Sequence, residues 1–292
     1  MKKVGLYLMT EKGFIVLNSL LNSNNLELIN YVVIGKDDHL TNDFSFEIEN
    51  LCINNNISYD YRSDKKEYVK SDYCIAISWR WIIDVENLIV LHDSLLPKYR
   101  GFAPLVNALI NGEPELGVTA IFASVEYDKG NIILQNKTSI TYPIKISDAI
   151  SVVSKIYSKI VIEIFNLIKS DKIITAYPQN ETEASYSLWL DEDDYFIDWN
   201  DPADKIARKV DACGSPYAGA KAKLFGRDII ISDVETLNEV KIENRTVGKL
   251  IFYEKDKPIF VCGVGLLKIN KGVYVDTLES ILPLKKFRIR LK

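Results

Sequence analysis

The sequence lacks the residues and runs that mark several classes of protein. It has two histidines and four cysteines in 292 residues, and no two cysteines have the CxxC spacing of metal or redox motifs. No stretch approaches the ~18 apolar residues that span a bilayer, and the first apolar run is too short for a secretory signal. We therefore expect no metal site, no membrane partner, a cytoplasmic location and buried free thiols. The thiols belong to Cys52, Cys74, Cys213 and Cys262.

An excess of charge of one sign is also lacking. The chain has 36 basic and 40 acidic residues, and its net charge of -4 gives no general attraction to nucleic acid. One cationic cluster, residues 285–292, alternates basic and apolar side chains, which favours a solvated edge strand over a phosphate-binding patch. Nucleic acid is therefore not an expected partner, and the sequence leaves a homodimer open.

The first half of the chain alternates short apolar runs with stretches of helical periodicity. This alternation predicts an α/β domain with a Rossmann-like, mainly parallel sheet, whose ligands bind beyond the carboxyl ends of the strands. The GxGxxG motif is absent after the first strand, so dinucleotide binding has little support. The predicted strands are residues 3–9, 29–34, 57–61, 73–77, 88–91, 117–124 and 131–140.

The second half predicts a change of architecture. A long amphipathic helix over residues 146–168 closes a first domain at residue 175. Residues 176–187 are polar, contain proline and lack periodicity, as in a linker. Beyond them, a helix after Pro202 and a series of short strands separated by turns predict a small β-rich domain over residues 188–292.

Because histidine is scarce, few residues can act as a general base. His39 lies in a polar loop, where a surface imidazole is the expected role. His92 follows a buried apolar run and precedes a turn whose backbone is restricted by Pro97 and Gly101. That position suits a catalytic loop, although a histidine at a strand end is often structural.

Three ordered motifs resemble those of the N10-formyltetrahydrofolate-dependent formyltransferases. Residues 92–101, His-Asp-Ser-Leu-Leu-Pro-Lys-Tyr-Arg-Gly, resemble that family's HxSLLPxYRG signature, and residues 117–119 and 128–130 match its GVT and DxG segments. Segments of the second half, such as residues 215–220, look like the C-terminal module shared by methionyl-tRNA formyltransferases and nucleotide-sugar N-formyltransferases. The resemblance implies a Rossmann-like catalytic domain followed by a small OB-like barrel.

The same resemblance implies a chemistry and a set of site residues. An amine would attack the formyl carbon of N10-formyltetrahydrofolate, the co-substrate. His92 would accept the proton or stabilise the oxyanion, and Asp128 would orient the imidazole and favour its charged form. The residues implied to contact the folate are Val90, Leu91, Ser94, Leu95, Tyr127 and Gly130.

The sequence departs from the family pattern two residues before His92. The resemblance places an asparagine there, but the chain has Val90, which cannot donate a hydrogen bond. Asp93 is also acidic where the family usually has a small or neutral residue. Three explanations stay open: another donor such as Ser94 or a backbone N–H acts instead, the enzyme is slow or uses different chemistry, or the site binds without catalysing.

The acceptor implied by the charge and the resemblance is a small molecule. Because the chain is acidic, a tRNA acceptor is less expected than an amino sugar linked to a nucleotide, as made for surface polysaccharides. Aromatic rings could stack on the base and guanidinium groups could pair with the diphosphate. The alternatives are a catalytically impaired binding homologue, a 10-formyltetrahydrofolate deformylase and a methionyl-tRNA formyltransferase. The residues proposed to bind this substrate are Trp79, Arg80, Tyr99, Arg100 and Gly101.

Overall fold

The computed structural model describes residues 1–38, 40, 42–64 and 70–292, and His39 therefore lies outside the described residues. The chain divides into two compact units. The first unit comprises residues 1–105, 115–140 and 148–188, and the second comprises residues 106–114, 141–147 and 189–292. Residues 176–187, predicted as a linker, are thus part of the first unit.

The first unit contains nine of the strands found in the described residues. They are β1 (Val4–Leu8), β2 (Ile29–Ile34), β3 (Tyr59–Tyr61), β4 (Tyr73–Ile77), β5 (Leu88–His92), β6 (Arg100–Gly101), β7 (Glu115–Phe122), β8 (Ile132–Ser139) and β9 (Tyr186–Ser187). The helices that accompany them are α1 (Thr10–Leu21), α2 (Ser45–Asn54), α3 (Pro104–Asn111) and α4 (Ile146–Lys169), of which the last two contribute residues to both units.

The central sheet of this unit has the order β3-β2-β1-β4-β5-β7-β8 within the described chain. The strands from β3 to β5 are parallel, whereas β7 runs antiparallel to both β5 and β8. The β1 side chains are buried throughout, as expected of a strand covered on both faces, while β8 alternates as a half-exposed edge strand should. The predicted Rossmann-like, mainly parallel sheet is confirmed.

The register of this sheet determines which residues meet at its carboxyl edge. Ala76 of β4 pairs with Val90 of β5, and His92, the last residue of β5, pairs with Thr119 of β7. A separate short pairing joins β6 to β9, with Arg100 opposite Tyr186. Residues 92–101, called the signature loop from here on, are therefore flanked by β5, β7 and the segment that the sequence predicts as a linker.

The second unit is built around an antiparallel sheet. It contains α5 (Ala203–Ala212), β10 (Ala220–Leu224), β11 (Arg227–Leu237), β12 (Leu250–Glu254), β13 (Lys257–Val261) and β14 (Leu266–Tyr274). Its strand order is β10-β11-β14-β13-β12 in the described residues, and α5 packs on β11 with Ile206 and Val210 buried. The predicted β-rich second domain, with a helix that begins after Pro202, is confirmed.

The C-terminal cationic cluster differs from its prediction. Residues 285–292 form no strand, and Arg290 makes an isolated bridge to Lys249. The alternation is still present, because Ile289 and Leu291 are buried while the basic side chains are exposed. Alternation alone could not predict a strand here, since a strand also requires a continuous backbone partner.

Two further features concern the whole described chain. All four cysteines are free and buried, which confirms the prediction from their spacing. Among the residues that the structure describes, no helix combines the length and apolar character needed to cross a membrane.

Candidate active site

His92 is fixed at the end of β5 with one ring nitrogen engaged. Its Nε2 lies 2.7 Å from the carbonyl oxygen of Tyr99, and only 9% of the side chain is exposed. Because a carbonyl can only accept, Nε2 carries the hydrogen in the neutral ring and Nδ1 keeps a free lone pair. Nδ1 lies 3.5 Å from Oδ1 of Asp128, so a proton taken up by Nδ1 would face a carboxylate.

Asp128 lies in the loop between β7 and β8 and links His92 to the signature loop. Its Oδ2 accepts a hydrogen bond from the backbone N–H of Gly101 at 2.8 Å, and its φ of 57° is in the left-handed region. Gln179 holds this loop by donating to the carbonyls of Asp128 at 2.6 Å and Gly130 at 2.9 Å. A Cβ on Gly130 would overlap the carbonyl oxygen of Phe122, so this turn requires glycine.

The signature loop is held from β7 by the residues of the GVT segment. Thr119 Oγ1 donates to the Ser94 carbonyl at 2.6 Å and accepts from the Leu96 N–H at 3.0 Å. The side chain of Leu95 fills the space where a Cβ on Gly117 would lie. The Ser94 hydroxyl donates to the Lys98 carbonyl at 2.6 Å and is therefore committed within the loop.

Arg100 has a different environment from the one expected of a substrate-binding residue. Its side chain is completely buried, and its guanidinium group donates to the Glu181 carboxylate at 2.7 and 2.9 Å and to Gln179 Oε1 at 2.7 and 3.0 Å. No part of this group is presented to a diphosphate, so the proposed substrate contact for Arg100 needs correction. Its role is to fasten the segment around Gln179 and Glu181 to the signature loop.

A buried charge network on the other side of β5 accounts for the unusual acidic residue. Asp93 forms an ion pair with Lys12, and the Tyr157 hydroxyl donates to Asp93 at 2.6 Å and lies 3.2 Å from the Leu91 carbonyl oxygen. Burial alone would raise the pKa of Asp93, but Lys12 and Tyr157 hold it below its ordinary value. Burial and the Asp93 charge raise the pKa of Tyr157 well above its usual value, which keeps its hydroxyl protonated.

The loop after β4 contains two more of the predicted substrate contacts. Trp79 packs edge-on against Tyr7 and against Trp81, with ring centroids 5.2 Å apart in each case. Arg80 is half-exposed and binds the fully buried Asp37 carboxylate through both terminal nitrogens, with Nη1 3.1 Å from Oδ1. This fork geometry fixes the direction of Arg80.

The predicted site residues divide into those that meet and those that do not. The structure brings His92, Asp128, Gly101 and the backbone of Tyr99 together, whereas the side chain of Tyr127 is 77% exposed. No group of three or more metal-ligating side chains occurs in the described residues. Sequence reasoning missed the supporting roles of Lys12, Tyr157 and Gln179. It also missed Gln135, which donates to the Leu96 carbonyl at 2.7 Å and to Thr119 Oγ1 at 2.9 Å. For Gln179 a signal was available, because residues 178–179, Pro-Gln, also resemble a segment of the formyltransferases.

Comparison with known proteins agrees with this geometry. Residues 68–163 match the family described as "Formyl transferase", and residues 190–273 match "Formyl transferase, C-terminal domain". A methionyl-tRNA formyltransferase of Borrelia hermsii is 31% identical over 216 residues, which are 70% of this chain and 69% of that protein. That of Borreliella burgdorferi strain ZS7 is 33% identical over 183 residues, 62% of this chain and 58% of its own length. The chain thus spans less than two thirds of the length of this second relative.

A solved structure shares the fold over nearly all of both chains. The N-formyltransferase from Helicobacter canadensis, in complex with folinic acid and dTDP-3-aminofucose, has a TM-score of 0.68 and 18% identity, covering 92% of this chain and 99% of that one. The signature loop, the two architectures and the identity to the Borrelia hermsii protein lead to one assignment. The chain belongs to the formyl transferase family.

Proposed function

We propose that the protein is an enzyme that transfers a formyl group from N10-formyltetrahydrofolate to the amine of a nucleotide-linked amino sugar. The observation that carries the proposal is the pairing of His92 with Asp128 at the carboxyl end of β5. A neutral imidazole whose free nitrogen faces a carboxylate is suited to accept a proton from an attacking amine. The family membership supplies the reaction class.

The two residues would divide the work as follows. The acceptor nitrogen forms a bond to the formyl carbon, and the proton that it loses passes to Nδ1 of His92. Asp128, 3.5 Å away, stabilises the imidazolium that results. The bond from the formyl carbon to the folate nitrogen breaks, and His92 returns its proton to that nitrogen. The products are the N-formylated acceptor and tetrahydrofolate, and His92 is restored.

The surroundings of β4 and β5 fit a folate. The folate supplies the formyl group, and its flat pterin ring needs both an apolar wall and hydrogen-bond donors. Trp79 and Leu95 offer apolar surface, and the buried Ser78 Oγ and Trp79 Nε1 have no hydrogen-bond partner among the described residues. Buried donors without a protein partner are expected where a ligand completes them. We keep Val90, Leu91 and Gly130 as neighbours of the folate, with Ser94 contributing through its loop position.

An amino-sugar nucleotide is favoured over tRNA on charge. The net charge of -4 opposes the binding of a polyanion such as tRNA. Arg80 is half-exposed at the loop after β4, where it could meet a phosphate, and the aromatic ring of Tyr99 could contact a base or sugar. The Helicobacter canadensis protein, which shares the fold, was solved with a dTDP-amino sugar. Methionyl-tRNA is the second candidate, because the matched relatives are methionyl-tRNA formyltransferases.

Product analysis of folate turnover tests the proposal. The protein would be incubated with N10-formyltetrahydrofolate and one of four partners: dTDP- or UDP-linked amino sugars, methionyl-tRNA, a free amino sugar, or water alone. We expect tetrahydrofolate and an N-formylated nucleotide sugar in equal amounts. Formate without acceptor would indicate a deformylase, and formylated tRNA with steep salt dependence would indicate the second candidate. Folate binding without any turnover would identify a binding homologue.

A further inference from the structure

Because residue 90 is valine, the proposed site lacks one hydrogen-bond donor that the family resemblance implies. The Val90 side chain packs against an apolar cluster on one face of the sheet that includes Tyr7, Cys74 and Ala76. Valine has no donor, so the oxygen that becomes negative during formyl transfer needs a hydrogen bond from elsewhere. Ser94, the candidate nearest in sequence, does not supply this hydrogen bond, because its hydroxyl donates to the Lys98 carbonyl.

The neighbouring strand, β4, is followed by a serine whose hydroxyl can donate a hydrogen bond. In the parallel pairing of β4 with β5, Ala76 lies opposite Val90. β4 ends at Ile77, so Ser78 directly follows this strand at the carboxyl edge of the sheet, the edge at which the parallel strand β5 ends in His92. Ser78 Oγ is buried and has no hydrogen-bond partner in the described part of the chain.

Two further observations indicate that this end of β4 receives a ligand. Ser78 has a φ of 54°, a left-handed conformation that is costly for serine and that concentrates at functional sites. The next residue, Trp79, packs against the same apolar cluster as Val90, and its buried Nε1 also lacks a partner among the described residues. Two adjacent buried donors thus lack a partner among the described residues, as expected where a ligand binds.

We propose that Ser78 is a catalytic residue that donates a hydrogen bond to the formyl oxygen, in place of the amide that Val90 lacks. The inference rests on the proposed function and deepens it. When the amine nitrogen bonds to the formyl carbon, an electron pair of the C=O bond moves to the oxygen, and the Ser78 hydroxyl stabilises that charge. The pair returns when the bond to the folate nitrogen breaks. Ser78 keeps its proton throughout, and Trp79 Nε1 donates to the same bound folate.

A pair of serine variants at the two ends of one strand tests this role. Ser78→Ala should lower kcat by at least about 10-fold, toward the ~10²–10³ that an oxyanion donor contributes, with little change in KM for the folate. Its unfolding midpoint should stay equal or rise, because the variant removes a buried hydroxyl that has no partner among the described residues. The control is Ser71→Ala, just before β4, where Oγ accepts from Asn30 at 2.9 Å. This variant should lower the midpoint and leave kcat unchanged.

Restoring a donor completes the test. Val90→Asn in the Ser78→Ala background should recover part of the lost kcat. If the parent transfers formyl groups and Ser78→Ala matches it, Ser78 has no such role, while the proposed function stands. An equal loss of kcat in Ser71→Ala would also overturn the role, because it would then reflect general damage to the strand. If the parent yields no formylated product from any amine, the proposed function and the role of Ser78 both fail.

Discussion

His92 is held so that Nε2 makes a hydrogen bond to a backbone carbonyl and Nδ1 faces a carboxylate. The Tyr99 carbonyl accepts a hydrogen bond from Nε2–H, and the left-handed φ of Tyr99, 58°, belongs to the tight turn that presents this carbonyl. Asp128 faces the other ring nitrogen, Nδ1, which is the atom that takes up the proton in the proposed reaction. The surroundings of the two ring nitrogens are therefore set by a backbone oxygen on one side and a carboxylate on the other.

Removal of the imidazole should abolish transfer without unfolding the protein. We expect His92→Ala to lower kcat by at least ~10², since general-base catalysis contributes about that much. Asp128→Asn should lower kcat nearly as much and leave the folate affinity unchanged, because the variant keeps the shape of the side chain and loses the charge. Steady-state kinetics and folate titration would measure both effects. A His92→Ala variant with more than about a tenth of the parent rate would refute the mechanism.

The buried Lys12–Asp93 ion pair, directly after β5, is a second feature at the scale of single residues, and it affects the stability of the fold. Removing one partner of such a pair costs about 3–5 kcal/mol, because the other charge is left buried and unpaired. Asp93→Asn should therefore lower the free energy of unfolding by about that amount at pH 7. Replacement of both residues, Lys12→Met with Asp93→Leu, should be much less damaging. Urea unfolding of the parent and of these two variants would show whether the pair acts as a unit.

The same pair predicts a pH dependence of stability. The pKa of Asp93 is lower in the folded chain than its ordinary value, so its contribution is present above about pH 4 and is lost as the pH falls through the folded pKa. The free energy of unfolding of the parent should thus fall below about pH 4 more steeply than that of Asp93→Asn. Parallel acid limbs in the two proteins would contradict this assignment.

At the scale of elements, local apolar patterns were sufficient to predict strands and helices but not the contacts between residues far apart in the sequence. The strands β1, β2, β4 and β5 follow from apolar runs of strand length, and α5 follows from Pro202 and the spacing of Ile206 and Val210. The burial of Arg100 could not be predicted, because its partner Glu181 is 81 residues further along the chain. A polar segment with proline reads as a linker whether or not its side chains find partners elsewhere.

The contact between β6 and β9 provides a test of that structural role. Arg100→Lys keeps the charge but loses the forked donors that bind Glu181 and Gln179. We expect it to lower the unfolding midpoint, and we expect Gln179→Ala to do the same, because Gln179 also holds the Asp128 loop. If Arg100→Lys instead raised KM for the nucleotide sugar at an unchanged midpoint, the original substrate contact would be correct. Differential scanning fluorimetry and kinetics separate the two.

The turn after Asp128 has no room for a side chain at Gly130. Gly130→Ala would drive a Cβ into the Phe122 carbonyl, which is backbone and cannot move aside independently. We expect a lower unfolding midpoint and a loss of kcat of at least about 10-fold, because displacement of Asp128 disturbs His92. Gly214→Ala is the control, since the nearest atoms to its added Cβ lie 3.5 Å away. That variant should stay within about 0.5 kcal/mol of the parent.

At the scale of the whole molecule, each of the two units contains two cysteines, so the reactivity of its thiols can be used to follow its unfolding. Cys52 and Cys74 lie in the first unit, and Cys213 and Cys262 lie in the second. Burial raises the pKa of Cys52 and of Cys262 to about 12 and that of Cys213 to about 11. The pKa of Cys74 is also raised by its burial.

The native protein should therefore resist thiol reagents. At pH 8 a thiol with a pKa near 12 is ionised to about one part in 10⁴, against about a quarter for a free cysteine, and the thiolate is the reactive form. We expect reaction with a disulfide reagent such as DTNB to be at least ~10²-fold slower than for free cysteine, and all four thiols to react in concentrated urea. A Cys52→Ala, Cys74→Ala variant leaves only the thiols of the second unit, and Cys213→Ala, Cys262→Ala leaves only those of the first. Comparing the urea concentrations at which each variant becomes reactive would give the stability of each unit separately, and a thiol that reacts quickly in native buffer would contradict its burial.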